Sequence, residues 1–299
     1  MVNSFKGGTG KTSVALAQCV HNWKTSSLGE GDKYRNIYFI DIDRLGTSLA
    51  YSLFSGKGKN NIHFFDEYPE KSFDEICNEV VQSETENECG LYAVLLNPVA
   101  KRKQDYDVHG RMQQHEKTGN SIFIDNLLSF IKNCMDQRES TLFVIDCSPG
   151  LPDLERSLLT GFYSLWEKYK LAVEEIYVTT FDASQIYKTI DCLNDNFDYL
   201  YRKGREVSIV LNDLHNCEGI SSDSNGDSLL FDWKETAKQI LEKLDDKQDV
   251  KIRFKQYESG QLRSCMIKNE RHLVNNMDAY VLQSEYRKNY ISMEKMEEE

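Results

Sequence analysis

The sequence predicts an α/β protein with a doubly wound, mostly parallel sheet flanked by helices. The first observation is that short apolar runs alternate with segments of helical period along the chain, which is the pattern of βαβ units. The second is that most runs are nearly continuous in β-branched and aromatic residues, as in strands buried on both faces. The third is a glycine-rich turn between the first run and the first helix, a place where such sheets bind ligands.

Seven apolar runs are the predicted strands. They are residues 2–5, 37–42, 91–96, 142–146, 176–180, 207–211 and 250–254. Between them, apolar residues recur every three or four positions, as at 154, 158, 162, 165 and 169 or at 186, 190, 193, 197 and 200, and such stripes predict helices that pack one face on the sheet. The first run is very short, so either the sheet tolerates a short strand or the native start lies upstream of Met1.

The composition is that of an ordinary globular protein. Of 299 residues, 40% are apolar and 28% are charged, which excludes general disorder, collagen-like repeats and a coiled-coil rod. No apolar run approaches the ~18 residues of a membrane span, and a charged glycine loop directly after the start argues against a secretory signal. We therefore expect a cytoplasmic protein without stable membrane insertion.

We expect one domain over residues 1–299, with a variable insertion at about 57–120 and a divergent helical region at about 255–299. The eight cysteines contain no Cys-x-x-Cys pair, so a four-cysteine metal site is not expected. The net charge of −12 argues against a surface that coats nucleic acid throughout, although it leaves room for a local basic patch.

A phosphate-binding loop is the most informative motif. The stretch reads Lys6-Gly7-Gly8-Thr9-Gly10-Lys11-Thr12. Glycines let successive backbone amides face an anion, and the following helix adds its free amides and positive dipole end. Lys11 is placed to reach the β- and γ-phosphates of a nucleotide, and the Thr12 hydroxyl can bind Mg²⁺. The predicted nucleotide-contacting residues are Gly7, Gly8, Thr9, Gly10, Lys11, Thr12 and Ser13.

The second lysine, Lys6, makes the loop resemble that of a known family. The deviant Walker A ATPases, the ParA/MinD group of SIMIBI-type P-loop proteins, carry Lys-Gly-Gly-x-Gly-Lys-Thr/Ser, and residues 6–12 match this signature at every position. The resemblance implies that Lys6 reaches across an ATP-dependent homodimer to the phosphates bound by the partner, and that it is catalytic together with Lys11. The alternative for Lys6 is a surface lysine at the edge of a loop.

Two carboxylates end the second predicted strand. Asp41 and Asp43 are two positions apart, so they share a face while strand geometry persists and both can approach the phosphates. By resemblance to the family's Asp-x-Asp motif, Asp43 orients the attacking water, and Asp41 supports it or neighbours the metal. A helix cap or a strand-end charge is the alternative for Asp41. The chain continues with Arg44 and Leu45 where relatives often have Pro-Gln-Gly, so the local contacts depart from the family.

Later strands end in three further candidates. The run 141–146 ends in Asp146, a Walker B pattern that predicts a Mg²⁺ ligand. By resemblance to a switch loop, the Gly150 amide senses the γ-phosphate, and a rigid strand-to-helix turn is a compatible alternative. By the same resemblance Asn212 contacts the adenine edge. No Asn/Thr-Lys-x-Asp run for guanine is present, so ATP is favoured over GTP.

The resemblance implies a Mg²⁺-dependent, ATP-hydrolysing dimeric switch that positions or partitions a cargo with a protein adaptor or activator. Nonspecific DNA is the favoured surface, and basic residues within 101–117 and 263–271 are its candidates, with a solvated loop as the alternative for both. A membrane surface is discounted, because the chain ends in acidic residues that an anionic leaflet repels. Two other functions stay open: a P-loop enzyme that phosphorylates or adenylates a small molecule, and a regulatory ATPase that acts on a protein partner.

Overall fold

The protein, seen in a computed structural model, forms one eight-stranded sheet with helices packed on both of its faces. The structure describes residues 1–27, 34–43, 63–65, 71–81, 89–96, 112–137, 140–150, 153–180, 183–195, 206–213 and 251–258. The strands are β1 (Val2–Asn3), β2 (Asn36–Asp41), β3 (Asn78–Val81), β4 (Gly90–Leu95), β5 (Thr141–Asp146), β6 (Glu174–Thr180), β7 (Glu206–Asp213) and β8 (Lys251–Glu258). The helices are α1 (Lys11–Ser27), α2 (Phe73–Ile76), α3 (Met112–Asp136), α4 (Asp153–Tyr169) and α5 (Ala183–Asp195).

The strand order is β3-β4-β2-β5-β1-β6-β7-β8. All neighbouring strands are parallel except β3, which runs antiparallel to β4 at one edge. The chain leaves β1 for β2 and returns later to insert β5 between them. The carboxyl end of β5 therefore lies between the ends of β1 and β2, the position at which doubly wound sheets bind their ligands. The predicted fold class is confirmed.

Alternating side chains of the central strands β2, β4 and β5 supply two separate cores. On one face, Ile37 and Phe39 of β2 pack in the cluster that holds Val14 and Leu16 of α1. On the other face, Tyr38 and Ile40 join the cluster formed with α2, α3 and α4. These central strands are therefore buried on both sides, as the parallel topology requires.

Among the differences from the predicted strands, those at β1, β3 and β8 have local reasons. β1 ends at Asn3, because the next residues already turn into the glycine loop. β3 was not predicted: it is four residues long and begins with Asn-Glu, and an edge strand needs less apolar character than a central one. β8 extends to Glu258 with alternating charged residues, and this also suits its place at the other edge of the sheet.

Part of the stretch 57–120 belongs to the sheet, since β3 and β4 both fall within it. Its basic portion, residues 101–111, lies outside the described residues, as does the chain after residue 258. The expectations for both basic stretches therefore stay predictions, as does the single-domain boundary. Among the helices that the structure describes, none combines the length and apolar character that a membrane span requires.

Candidate nucleotide-binding site

The glycine loop connects β1 directly to α1. Gly8 and Gly10 have φ angles of +81° and +80°, which only glycine adopts without strain. A Cβ placed on Gly7 or Gly8 would meet no atom within 4 Å, so the outer side of the loop faces open space. The Val14 amide donates to the Gly10 carbonyl at 3.0 Å, which starts α1 at the end of the loop. The amides of the loop and of the first turn are thus held where an anion can approach them.

The Lys11 ammonium turns inward and bridges two carboxylates. Its Nζ lies 2.5 Å from Asp146 Oδ1 and 3.3 Å from Asp43 Oδ2, and the side chain is buried. Burial alone would lower the pKa of Lys11, but the charge of Asp146, its hydrogen bond and the charge of Asp43 outweigh burial and raise it. Lys11 is therefore the cation that neutralises the acidic centre of this site.

Asp41, Asp43 and Asp146 meet at the carboxyl ends of β2 and β5. Asp41 is paired in register with Asp146, and the Asp43 amide donates to Asp41 Oδ1 at 3.0 Å. Burial, followed by the charge of Asp146, raises the pKa of Asp41 to about 8. Burial also raises the pKa of Asp146, with Lys11 and a hydrogen bond from Thr12 acting in the opposite direction. The bond to the Asp43 backbone fits Asp41 as a supporting residue, and its role as a metal neighbour stays a prediction.

The donor set at this edge suits Mg²⁺ in part. Asp146 is 0% exposed, and its Oδ2 accepts no hydrogen bond from any residue that the structure describes. The hydrogen bond between Thr12 and Asp146 brings a hydroxyl next to that carboxylate, and oxygen donors are what Mg²⁺ prefers. No three His, Cys, Asp or Glu side chains among the described residues are arranged to enclose a metal. A Mg²⁺ ion held by Thr12 and Asp146 would therefore need phosphate and water oxygens as further ligands.

The loop after β5 is tied to the first strand. The Cys147 amide donates to the Val2 carbonyl at 3.1 Å, and the Gly150 amide donates to the Ser4 carbonyl at 2.8 Å. Gly150 has a φ of +95°, so the turn depends on glycine. Because its amide is already engaged, Gly150 can contact a γ-phosphate only after the bond to Ser4 is exchanged. Its sensing role stays a prediction.

For the other predicted residues, the structure gives the exposure of Lys6 and Thr9 and the backbone position of Asn212. Lys6 is exposed and forms no ion pair among the described residues. Thr9 is buried within the loop. Asn212 pairs with Thr180 at the end of β7, where the carboxyl ends of the strands lie on the same side as the loop. The side chains of Asn212 and Ser13 lie outside the described residues. The trans role of Lys6 and the adenine contact of Asn212 stay predictions.

Sequence reasoning missed Glu155, which is 0% exposed in the first turn of α4. Its Oε1 accepts a hydrogen bond from the Ser148 amide at 2.8 Å. The available signal was periodicity, because position 155 falls three, four and seven residues before Leu158, Leu159 and Phe162, on the apolar face of the helix. A carboxylate on such a face is unusual unless it is paired.

Replacing Asp41 with asparagine is expected to stabilise the protein at pH 8 by about 1–2 kcal/mol and to change little at pH 5. The folded-state pKa of Asp41 is raised from its ordinary 3.8 to about 8. Wild-type stability is therefore fully present below the unfolded-state pKa and falls as the pH rises through the folded-state value. Asparagine keeps the oxygen that accepts the Asp43 amide and carries no charge.

Denaturant unfolding in EDTA at both pH values measures the effect, with the exposed Asp136→Asn as the control. If Asp41→Asn destabilised the protein equally at pH 5 and pH 8, burial would not be what governs this carboxyl group.

No protein-family model matches the chain, and no curated protein matches it in sequence. Solved structures do resemble it. A candidate plasmid partition protein from Borrelia burgdorferi B31, bound to AMPPNP, has a TM-score of 0.50 and 13% identity over 95% of this chain and 97% of that one. A plasmid partition protein from Borrelia burgdorferi has a TM-score of 0.46 and 11% identity over 96% and 97%.

The kinase domain of the Escherichia coli tyrosine kinase ETK has a TM-score of 0.43 and 12% identity over 75% of this chain and 70% of that one. At these identities the similarity concerns the fold. The chain therefore shares its fold with the candidate plasmid partition protein from Borrelia burgdorferi B31.

Proposed function

We propose that this protein is a Mg²⁺-dependent ATPase of the ParA type that closes as a homodimer around ATP. The observation that carries the proposal is the convergence behind the glycine loop: the Lys11 ammonium lies within 3.3 Å of Asp43 and 2.5 Å of Asp146. The first residue of α1 and the ends of β2 and β5, far apart in sequence, thus bring one cation and two carboxylates to the place where the loop amides would bind phosphate. Phosphoryl chemistry needs little more than such positioning and charge neutralisation.

Each side chain has a role in this proposal. The loop amides bind the phosphates, and Lys11 leaves its carboxylate partners to pair with the β- and γ-phosphate oxygens. Thr12 and Asp146 would then hold Mg²⁺, which would supply charge neutralisation at the phosphates. Asp43 becomes available to orient the attacking water. ATP binding is therefore coupled to a rearrangement of the very ion pairs that stabilise the nucleotide-free site.

The proposal also concerns the cargo that the ATPase would move. The Borrelia burgdorferi B31 neighbour is a candidate plasmid partition protein bound to an ATP analogue, and the glycine loop matches the ParA signature through Lys6. We favour partition of a DNA cargo with a protein adaptor, and nonspecific DNA as the surface for the closed dimer. Of the basic stretches proposed for that surface, residues 101–111 and 263–271 lie outside the described residues, and residues 112–117 form the start of α3.

Replacing Lys6 with alanine should leave ATP affinity within about threefold of wild type and lower turnover at least about tenfold. Lys6 is exposed at the loop and forms no ion pair with a described residue of its own subunit, so we expect its loss to act where a partner subunit closes over the site. The measurements are ATP affinity, turnover, and size-exclusion chromatography with ATP or ADP. The control is Lys132→Ala, an equally exposed lysine on α3.

The chromatography separates the proposed switch from the enzyme that modifies a small molecule. A dimer that forms only with ATP supports the switch. A size that does not depend on nucleotide, together with equal turnover for wild type and Lys6→Ala, would favour the small-molecule enzyme.

A further inference from the structure

A buried carboxylate outside the predicted site contacts the loop that follows Asp146. Glu155, in the first turn of α4, is 0% exposed. Its Oε1 accepts the Ser148 amide at 2.8 Å, and its Oε2 is buried without a hydrogen bond from the described residues. Burial raises the pKa of Glu155 to about 7, and hydrogen bonds from Ser148 and from the amide of Glu155 itself act in the opposite direction. The fold thus keeps a carboxyl group in its interior, where a carboxylate is costly unless it is paired.

The residue held by Glu155 connects two strand ends of the site. The Ser148 hydroxyl donates to the Ile42 carbonyl at 3.3 Å, and the Ile42 amide donates to the Asp146 carbonyl at 3.0 Å. Ile42 directly precedes Asp43. The ends of β2 and β5 are therefore joined by two hydrogen bonds, one of which depends on the orientation of Ser148.

A simpler role for Glu155 would be to stabilise α4, since an acidic side chain in the first helical turn interacts favourably with the helix dipole. That role requires no contact with Ser148 and is normally served by exposed side chains. Glu155 is instead completely buried and accepts a 2.8 Å hydrogen bond from the Ser148 amide of the loop. The same loop carries Gly150, whose amide is tied to Ser4 at 2.8 Å.

We propose that Glu155 is a positioning residue, which through Ser148 fixes the loop 147–150 and the end of β2 that presents Asp43. The expected effect on hydrolysis rests on the proposed function. The expected effect on the conformation of the loop 147–150 is independent of that function. Removing the acceptor releases the Ser148 amide and loosens the link to Ile42. Asp43 then samples more orientations, so that the chemical step slows while the phosphate contacts of the glycine loop are unchanged.

The test compares Glu155→Met, which removes the acceptor at similar volume, with Glu155→Gln, which keeps an acceptor oxygen. In Glu155→Met, hydrogen exchange of the Cys147, Ser148 and Gly150 amides in the nucleotide-free protein should accelerate at least about tenfold; Pro149 has no amide hydrogen. Single-turnover hydrolysis should fall about tenfold, with ATP affinity within about twofold. Glu155→Gln should stay within about threefold of wild type in each measurement.

Glu175→Met is the matched control, because Glu175 is also 0% exposed and accepts hydrogen bonds from Tyr163 on α4 and Tyr177 on β6. It should lower thermal stability without accelerating exchange at 147–150. Ser148→Ala, which keeps the amide bonded to Glu155, should accelerate exchange at 42–43 and slow hydrolysis about threefold. This variant decides the question if Glu155→Met does not fold.

Unchanged exchange at 147–150 in Glu155→Met, or unchanged exchange and hydrolysis in Ser148→Ala, would overturn the proposal. So would equal losses in Glu155→Met and Glu155→Gln, which would indicate a role in stability alone. If wild-type protein does not hydrolyse ATP, the proposed function fails. The exchange measurements still decide whether Glu155 positions the loop.

Discussion

Replacing Lys11 with alanine is expected to abolish measurable ATP hydrolysis, a loss of at least about 100-fold, and to destabilise the nucleotide-free protein as well. The Lys11 ammonium is the buried cation within hydrogen-bonding distance of Asp43 and Asp146, and Asp41 lies beside them. Its loss removes the ion pairs to Asp43 and Asp146, and removing one partner of a buried ion pair costs about 3 kcal/mol. Protonation of the carboxylates limits that cost.

Thermal and denaturant unfolding in EDTA measure the stability effect, and ATP binding and turnover measure the functional one. Lys6→Ala is the matched control, because Lys6 belongs to the same loop but is exposed, and it should leave stability unchanged. Added Mg²⁺ should restore part of the stability of Lys11→Ala, since the cation can take the place of the ammonium among the carboxylates. An unaltered unfolding midpoint for Lys11→Ala would contradict the ion-pair role assigned here.

Replacing Asp43 with alanine is expected to lower the hydrolysis rate at least about 100-fold while leaving ATP affinity and stability nearly unchanged. Lys11 keeps its shorter contact with Asp146, at 2.5 Å against 3.3 Å for Asp43, so the site retains its internal ion pair. One negative charge is also removed from beside Asp41, whose pKa is raised in part by Asp43. The loss is therefore confined to the chemical step.

Single-turnover hydrolysis and equilibrium ATP binding separate the two effects of Asp43→Ala, and Asp136→Ala, an exposed acid at the end of α3, serves as the control. Under the proposed function this variant should also accumulate as a dimer with ATP, because the closed state is no longer reopened by hydrolysis. If Asp43→Ala turned over ATP at the wild-type rate, Asp43 would be excluded as the water-orienting group, and another acid of the cluster would have to take that role.

The two substitutions differ in their expected effect on stability, because Lys11 and Asp43 have different roles in the nucleotide-free protein. Lys11 compensates buried charge in the folded chain and would bind phosphate afterwards, so its loss is felt in both states. Asp43 adds to the buried negative charge, and its contact with Lys11 is longer than that of Asp146. We therefore expect the loss of Asp43 to be felt mainly in the chemical step.

Local signals in the sequence predicted most of the strands and the glycine loop that form this site. The apolar runs marked the central strands because parallel strands are buried on both faces, and the glycines marked the loop because only glycine tolerates the φ angles found at Gly8 and Gly10. Strand-end acids marked the carboxyl edge of the sheet. The edge strand β3 escaped prediction, since its four residues carry no strong pattern.

What the sequence alone determined is which residues form strands and which end them, because periodicity and glycine content act over a few neighbouring positions. Only the tertiary structure decided that β5 lies between β1 and β2, which brings Asp146 to Lys11 across 135 positions. It also decided that Glu155 faces Ser148 in the interior rather than solvent. Such pairings depend on strand order and on burial, and both arise from contacts between distant segments that no local pattern encodes.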